Sequence, residues 1–307
     1  MKVGIVGLGS IGQRHATNAA KLGHNVHVYD PAVKGDFRFK YERDLYDWCD
    51  AAVIATPSMH HIAGIRACAE RGRHILVEKP IATSDQALRE MLDFAASKNL
   101  VVMIGNNLRL HPCVRSAKTR IDEGQLGKLL WASFTCAALS TKPLYLSDGV
   151  ILNTGAHEVD LALHLLGPAK VLSASAHEAF GGDYTGRDDI ADFVLQHDSG
   201  CRSTFHLDYV TRTEIREFRV IGNEGDLHVD LPARTLKVRL ADPKLPDVTH
   251  TDLKLYGSYD ADYLDEMISF FDRIEGKDVP GATGEDGFNT LDILLEVRSK
   301  AGIAPRQ

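Results

Sequence analysis

The sequence predicts an α/β protein with two domains. A doubly wound parallel sheet is expected in residues 1–125, and an α/β domain with a large, mostly antiparallel open sheet in residues 126–307. Short apolar runs alternate with helical patterns in the first part, as they do in successive β-α-β units. Beyond Gly127, apolar and polar residues alternate, which is typical of antiparallel strands with one solvated face. A chain of 307 residues, 44% of them hydrophobic, can form two cores.

The elements of the first domain follow in order. Strands are predicted near residues 2–6, 25–29, 51–55, 74–77 and 101–104, and helices near 10–22, 58–71 and 83–98. In the third helix Thr83 and Gln86 are spaced as a capping box, ahead of an apolar stripe. This stripe indicates a helix that covers one face of the sheet.

The second domain begins with a helix at about 153–166. Strands are then predicted at 190–197, 201–210, 215–221, 225–231 and 235–240, an exposed loop from Asp242 to Lys254, and helices at about 258–275 and 284–301. Packing of the final helix back on the first domain is left open. The apolar positions of the strands could either hold the domain's own helices or meet another subunit; they include Phe193, Leu195, Phe205, Phe218 and Val220. Self-association through this sheet, as a dimer or tetramer, is therefore a prediction.

Composition excludes several classes of partner. The net charge of -7 offers no basic stripe for nucleic acid. The five cysteines are scattered and never form a C-x-x-C pair, so reduced, buried thiols are expected rather than a disulfide or zinc framework. No apolar run approaches the ~20 residues of a membrane span, and the first strand leaves no room for a signal peptide. The sequence thus predicts a cytoplasmic protein with a small-molecule ligand.

A glycine motif predicts what that ligand is. Gly7, Gly9 and Gly12 form a G-x-G-x-x-G frame between the first strand and the first helix, which is the context of a dinucleotide site. Gly7 allows the tight turn, Gly9 lets the backbone approach a pyrophosphate, and Gly12 lets the helix pack on the strand. Asp30, at the end of the next strand, is placed to bind the adenosine ribose and to repel the extra phosphate of NADP. NAD is therefore predicted over NADP.

Two groups of residues carry candidate chemistry. Lys79 ends a predicted parallel strand at its carboxyl edge, where doubly wound sheets bind ligands, although a surface lysine beside a turn proline is the alternative. Asn153, His157, Asp160 and His164 recur at helical spacings of three and four residues. The pattern is not H-E-x-x-H, so no metal is predicted there. A satisfied, partly buried histidine is the alternative for His157.

The motifs together resemble the Gfo/Idh/MocA family along essentially the whole chain. The resemblance is carried by the segments Gly7–Gly12, Ala55–Pro57 with His60, Glu78–Pro80, Asn107–Pro112 and Gly155–Asp160. It implies an N-terminal Rossmann domain, a C-terminal α/β domain with an open sheet, and NAD(P)-dependent oxidation or reduction of a hydroxyl on a sugar, cyclitol or sugar-nucleotide.

The resemblance also implies roles for individual residues. Lys79 would bind the reacting hydroxyl and the cofactor, and His157 would be the general acid/base. Glu78 would lie beside the nicotinamide ribose. The remaining expected contacts belong to the cofactor site, at Ser10, Ile11, Thr56, Pro57, His60 and Asn107, and to the substrate site, at Arg109, Asn153 and Asp160.

Two departures and one alternative bear on the substrate. Many family members have an aspartate where this chain has Asn153. The segment from Ala137 to Gly149 is also short compared with relatives that share the Asn-Leu-Arg-x-His-Pro motif. Arg109 could bind an anionic group or form an ion pair between domains.

The predicted activity is an NAD-dependent dehydrogenase that acts on a secondary hydroxyl. The alternatives are a catalytically silent NAD-binding regulator and a reductase of imines or other non-sugar double bonds.

Overall fold

The computed structural model describes residues 1–33, 39–84, 86–140, 149–179, 188–241, 248–251 and 260–303. The chain forms two compact units, one of Met1–Leu110 with Ser258–Leu291 and one of His111–Gly257 with Asp292–Gln307. Residues 111–125 thus fall in the second unit and residues 258–291 in the first, whereas the sequence assigned each to the other domain. The later boundary falls inside the last helix.

The helices and strands of the described residues are numbered in chain order. The helices are α1 (Ser10–Lys21), α2 (Glu42–Trp48), α3 (His61–Glu70), α4 (Gln86–Ser97), α5 (Pro112–Asp122), α6 (Gly155–Leu166), α7 (Asp260–Ile274) and α8 (Gly284–Lys300). The strands are β1 (Lys2–Val6), β2 (Asn25–Tyr29), β3 (Ala51–Ile54), β4 (His74–Glu78), β5 (Val102–Gly105), β6 (Leu129–Ala137), β7 (Ala169–His177), β8 (Ile190–His197), β9 (Arg202–Asp208), β10 (Ile215–Gly222), β11 (Gly225–Asp230), β12 (Thr235–Leu240), β13 (Val248–Thr251) and β14 (Ala282–Thr283).

The first unit is built on a six-stranded sheet in the order β14-β5-β4-β3-β1-β2. Strands β1 to β5 are parallel, which confirms the predicted doubly wound sheet, and β14 pairs antiparallel with β5 at the edge. All four residues of β3 are buried, as expected for a strand covered on both faces. The buried side chains Met267 and Phe270 of α7 pack with Val3 and Ile5 in one core cluster.

The second unit contains an eight-stranded sheet in the order β13-β12-β11-β10-β6-β9-β8-β7. Its pairs are antiparallel except for β6 with β9, so the mostly antiparallel sheet is confirmed. One face carries a row of aromatic rings across four strands. Phe193 stacks on Phe205 at 4.4 Å between centroids, Phe205 on Phe134 at 5.1 Å, and Phe134 lies 5.6 Å from Phe218.

This aromatic face is covered within the chain. The five apolar positions named above are at most 3% exposed, and α5 and α6 contact the sheet. The sequence left open whether this face meets the domain's own helices or another subunit, and in the structure it meets the helices. Self-association stays a prediction.

Several elements were not predicted. The sequence missed α2, β6, β7 and β14, and β13 lies within the segment that was expected to be a loop. The residues of β6 are nearly all apolar, which hides the period of two, and those of edge strand β7 are mostly exposed and small. The rest of the predicted 242–254 loop lies outside the described residues.

Three predicted helix starts were early. A 3-10 turn, Ser58–His60, precedes α3, and a helical turn at 149–153 precedes α6. Helix α4 begins at Gln86, so Thr83 lies before the helix. The Gln86 side chain of the predicted capping box lies outside the described residues.

Candidate functional site

The glycine turn between β1 and α1 brings strand and helix unusually close together. Gly7 has a φ of +92°, and a Cβ there would lie 2.4 Å from the Ala55 carbonyl oxygen. A Cβ on Gly12 would lie 1.9 Å from the Gly7 carbonyl oxygen. Both positions therefore exclude a side chain. A Cβ on Gly9 would meet nothing within 4 Å, so this edge of the turn is open.

The start of α1 is suited to an anion. Gly9 is the N-cap residue and no side chain caps the helix. The first N–H groups of a helix have no intrahelical acceptor, and the helix dipole is positive at this end. Ser10 is exposed and Ile11 is partly exposed at the same point. A pyrophosphate that reached this turn would meet N–H donors and no obstructing Cβ.

Asp30 lies beside the glycine turn. Its Oδ2 accepts a hydrogen bond from the Leu8 N–H at 2.7 Å, and its Oδ1 accepts one from the Ala32 N–H at 2.8 Å. The carboxylate is thus held in place by backbone donors from both sides, while the residue stays partly exposed. Each oxygen keeps a lone pair for a further donor, such as a ribose hydroxyl.

Buried polar atoms near the ends of β3 and β5 also fit a ligand. Oγ1 of Thr56 and Nδ2 of Asn107 are buried and have no hydrogen-bond partner among the described residues. Unsatisfied buried groups are rare in native proteins, and a bound polar molecule is one way to satisfy them. Pro57 and His60 of the same β3–α3 segment are exposed. The residues of this edge therefore fit a dinucleotide cofactor.

His61, which the sequence analysis did not single out, links two loops at this edge. Its Nδ1 lies 2.9 Å from the Pro80 carbonyl oxygen and its Nε2 lies 2.8 Å from the Thr56 carbonyl oxygen. Burial lowers the pKa of this imidazole below its usual value. A neutral imidazole has one N–H, so the ring donates to one of these carbonyls and packs against the other, between the loop after β3 and the loop after β4. Only its position in space identifies this role, since the local sequence gives no signal for it.

Glu78 and Lys79 end β4 at the carboxyl edge of the sheet, as predicted. The Glu78 carboxylate accepts a hydrogen bond from His15 Nε2 at 2.7 Å and lies over Gly105, where a Cβ would come within 2.8 Å of Oε1. Lys79 is partly exposed, and its peptide bond to Pro80 is cis. The predicted catalytic role of Lys79 stays a prediction.

Arg109 is buried rather than open to a substrate. Its guanidinium lies 3.1 Å from the Asp286 carboxylate, and the side chain is 6% exposed. Burial alone would raise the pKa of Asp286, but Arg109 and hydrogen bonds from Thr283 outweigh it and lower that pKa. Both partners belong to the first unit. The geometry favours the ion-pair alternative, although within one unit, and a substrate contact by Arg109 stays a prediction.

Helix α6 of the second unit carries His157 in its first turn. The residue is partly exposed, while the next one, Glu158, is buried and forms a two-pronged ion pair with Arg216 of β10 at 2.8 and 3.1 Å. Asp160 is 1% exposed, and His164 is partly exposed. The ion pair fixes the helix to the sheet and with it the backbone position of His157.

Asn153 is held by a tyrosine that the sequence analysis missed. Asn153 Nδ2 donates to the Tyr209 hydroxyl at 2.7 Å, and Thr154 Oγ1 lies 3.3 Å from the same oxygen. Burial raises the pKa of Tyr209, which keeps the phenol protonated. Because Nδ2 faces Tyr209, the amide presents its carbonyl oxygen in another direction. Tyr209 thus orients the Asn153 amide.

Two further kinds of side chain were considered in the sequence: cysteines and potential metal ligands. All five thiols are free, and burial raises the pKa of Cys49 and Cys201 to about 11 and that of Cys136 to about 12. No group of three metal-ligating side chains forms around His157 in the described residues; such a group occurs at His15, Glu78 and Glu266. None of the described helices is both long and apolar enough to cross a bilayer.

Comparison with known proteins identifies the family. Residues 1–106 match the oxidoreductase family with an NAD-binding Rossmann fold, and residues 114–228 match the GFO/IDH/MocA C-terminal domain. The scyllo-inositol 2-dehydrogenase (NAD(+)) of Bacillus subtilis is 30% identical over 258 residues, which are 75% of this chain and 73% of that protein. The chain belongs to the GFO/IDH/MocA oxidoreductase family. The resemblance predicted from the motifs is confirmed, and so is the NAD-binding Rossmann domain.

Solved structures share the oxidoreductase fold. The UDP-N-acetylglucosamine 3-dehydrogenase of Acidithiobacillus ferrooxidans superposes with a TM-score of 0.85 at 24% identity, covering 99% of this chain and 98% of that one. A levoglucosan dehydrogenase in complex with NADH and L-sorbose superposes with a TM-score of 0.88 at 21% identity, covering 98% and 96%. At these identities the likeness establishes the fold.

The glycine turn gives a matched pair of variants. Gly12→Ala places a methyl group against the Gly7 carbonyl, so we expect a loss of about 1–3 kcal/mol in unfolding free energy together with weaker NADH binding. Gly9→Ala has open space at that Cβ and should keep wild-type stability while weakening NADH binding. Denaturant unfolding and NADH fluorescence titration measure both. Equal stability of the two variants would contradict the close approach.

The Glu158–Arg216 pair predicts a large effect on stability. Arg216→Met leaves a buried carboxylate without its cation, which should cost about 3–5 kcal/mol of unfolding free energy. The double variant with Glu158→Leu should recover most of this loss. Arg71→Met removes the exposed pair with Asp47 and serves as the control, with an expected cost of at most about 1 kcal/mol. A similar cost for both arginines would show that burial of the pair is unimportant.

Proposed function

We propose that this protein is an NAD-dependent dehydrogenase that oxidises a secondary hydroxyl of a sugar, cyclitol or sugar-nucleotide, or reduces the corresponding ketone. The observation that carries the proposal is the position of Lys79 at the carboxyl end of β4 and of His157 in the first turn of α6, in a chain that belongs to this oxidoreductase family. The substrate class is supported by the named activities of relatives, which include scyllo-inositol and UDP-N-acetylglucosamine dehydrogenases.

In the proposed reaction Lys79 and His157 act on the same carbinol. NAD, when bound, supplies the hydride acceptor. The His157 imidazole takes the hydroxyl proton, because an imidazole titrates near neutral pH and can hold and release it. The Lys79 ammonium stabilises the negative charge that develops on the substrate oxygen. Asn153, oriented by Tyr209, offers its carbonyl oxygen to a substrate hydroxyl.

The preference for NAD over NADP rests on Asp30 in this proposal. Its backbone-held carboxylate accepts hydrogen bonds from the adenosine ribose hydroxyls and repels a 2′-phosphate. Ser10, Ile11, Thr56, Pro57, His60 and Asn107 complete the cofactor contacts, while Asp160 and Arg109 support the substrate side. The chain is further proposed to act in the cytoplasm as a homo-oligomer.

One observation favours a second candidate function. Asn153 cannot raise the pKa of a neighbouring histidine as a carboxylate would. A catalytically silent NAD-binding regulator of the same fold would tolerate this residue. Incubation with NAD and a panel of inositols, levoglucosan and UDP-N-acetylglucosamine, followed by absorbance of NADH, separates the two. NADH formation with any of them supports the enzyme, and cofactor binding without turnover on the whole panel supports the regulator.

The role of His157 is tested by substitution. His157→Ala should lower kcat by about 10²–10⁴-fold, the usual contribution of a general acid/base, while leaving NADH affinity unchanged. His177→Ala, at an exposed position of β7, is the matched control and should behave as wild type. Steady-state kinetics and NADH titration give both values. A kcat within a few-fold of wild type would refute the assignment.

The role of Asp30 is tested by removing its charge while keeping an acceptor oxygen. Asp30→Asn should weaken NAD⁺ binding and bring the Kd for NADP⁺ closer to that for NAD⁺, because the repulsion of the 2′-phosphate is lost. The ratio of the two Kd values is measured by titration with each cofactor. If the ratio does not change, the carboxylate does not contact the ribose.

A further inference from the structure

Three ionisable side chains of the first unit form a buried acid cluster. His15 of α1, Glu78 at the end of β4 and Glu266 of α7 place their nitrogen or oxygen atoms within 4.8 Å of one another. The residues are 0%, 8% and 0% exposed, and His15 Nε2 lies 2.7 Å from Glu78 Oε1. Two carboxyl groups therefore share a site that is nearly closed to bulk water.

Glu266 has no hydrogen-bond donor in the described structure that would stabilise a negative charge. Neither of its carboxyl oxygens has a hydrogen-bond partner among the described residues. Burying an ionised carboxylate costs several kcal/mol unless it is paired, and a second carboxylate close by increases the cost. A carboxyl group in this position keeps its proton. Burial, the charge of Glu78 and the charge of Asp262 together raise the pKa of Glu266 well above its usual value.

The charged groups on the neighbouring elements do not offset this. Helix α7 contacts α1 and the 3-10 turn Asn107–Leu110. On α1 the Arg14 side chain pairs with Asp260 at 2.7 Å, and on the turn Arg109 pairs with Asp286 at 3.1 Å. On α7 itself, Asp262 adds a further negative charge.

The contact between His15 and Glu78 is a hydrogen bond rather than a pair of metal ligands. Metal bonds to histidine nitrogen and carboxylate oxygen are about 2.0–2.2 Å long, so two ligands of one ion lie about 3 Å or more apart. The observed 2.7 Å is shorter and is normal for a charge-assisted hydrogen bond. The cluster has the geometry of a site that holds a proton.

We propose that Glu266 holds the proton of this cluster and gives it up to solvent when NAD⁺ binds. This rests on the proposed function and on the place beside the nicotinamide ribose that the family resemblance implies for Glu78. The oxidised nicotinamide ring carries one positive charge more than the reduced ring. A positive charge close to a carboxyl group favours its ionised form, so the oxidised cofactor drives the proton off and the reduced cofactor does not. Glu266 acts through Glu78 and is a positioning residue.

The proposal fixes the pH dependence of cofactor affinity. When binding releases a proton, affinity rises with pH, by up to about tenfold per pH unit for one whole proton. The Kd for NAD⁺ should therefore fall as pH rises towards the pKa of Glu266 in the cofactor-free protein. The Kd for NADH should change much less over the same range.

The test is calorimetric titration of the full chain with NAD⁺ and with NADH, each in two buffers of different ionisation enthalpy at the same pH. The wild type should release up to one proton on binding NAD⁺ and clearly less on binding NADH. Glu266→Gln keeps the shape of the side chain without a proton to lose, so the release should vanish and the Kd for NAD⁺ should become flat with pH. Glu275→Gln, just beyond the exposed end of α7, is the control and should match wild type.

The outcomes separate this inference from the proposed function. Binding of both cofactors with no difference in proton release, or an unchanged release in Glu266→Gln, overturns the inference alone. A stoichiometric metal ion in the purified wild type that is lost in Glu266→Gln also overturns it. Failure of either cofactor to bind overturns the dehydrogenase proposal as well. If Glu266→Gln does not fold, the comparison of NAD⁺ with NADH on the wild type decides.

Discussion

The close approach of α1 to the turn after β1 is the constraint on which the first unit depends. A single methyl group at Gly12 would lie 1.9 Å from the Gly7 carbonyl oxygen, so helix α1 can pack this close to the turn only if residue 12 is glycine. This packing leaves the first N–H groups of α1 uncapped at the open side of the turn. The same packing also sets the positions of the next residues of the helix. His15, one turn beyond Gly12 on the same helix face, thereby reaches the Glu78 carboxylate at the end of β4.

The second unit positions its chemistry by different means. Helix α6 follows a helical turn rather than a strand, and it is fixed by a buried ion pair from Glu158 to Arg216. Tyr209, just after β9, fixes the amide of Asn153 at the start of the same segment. Stacked phenylalanines on four strands pack across one face of the sheet. His157 therefore lies on a helix that is held by one contact just before it in the chain, at Asn153, and one just after it, at Glu158.

Local sequence was sufficient for the parallel sheet and for the glycine turn. Strands buried on both faces are short, apolar and β-branched, so β1 and β2 were predicted with the bounds observed and β3 to β5 to within one residue at each end. Strand β6 was missed because a central strand rich in alanine and leucine has no clear period of two, and edge strand β7 because it buries little. The starts of three helices were predicted two to three residues early. For α3 and α6 a 3-10 turn and a helical turn directly precede the helix, so the helical pattern begins before the helix itself.

The site residues that sequence reasoning missed act over long distances in the chain. His61 lies between carbonyls of two loops, and Tyr209 contacts Asn153 across 56 residues, so neither contact leaves a local pattern. Glu266 did leave one: it lies among Tyr263, Met267 and Phe270 on the apolar face of α7. An acid at a core position of an amphipathic helix is a signal that periodicity alone could have found. Arg109 shows the opposite case, because its motif alone did not decide between a substrate contact and an ion pair, and only the structure shows the pair with Asp286.

We propose that the open side of the glycine turn holds the diphosphate of a dinucleotide whose adenosine ribose reaches Asp30. A crystal structure of the protein grown with NADH would show this binding mode. We expect phosphate oxygens within hydrogen-bond distance of backbone N–H groups at Gly9 to Ile11 and ribose hydroxyls on the Asp30 carboxylate. NADH bound elsewhere, or a diphosphate held by side chains away from this turn, would contradict it.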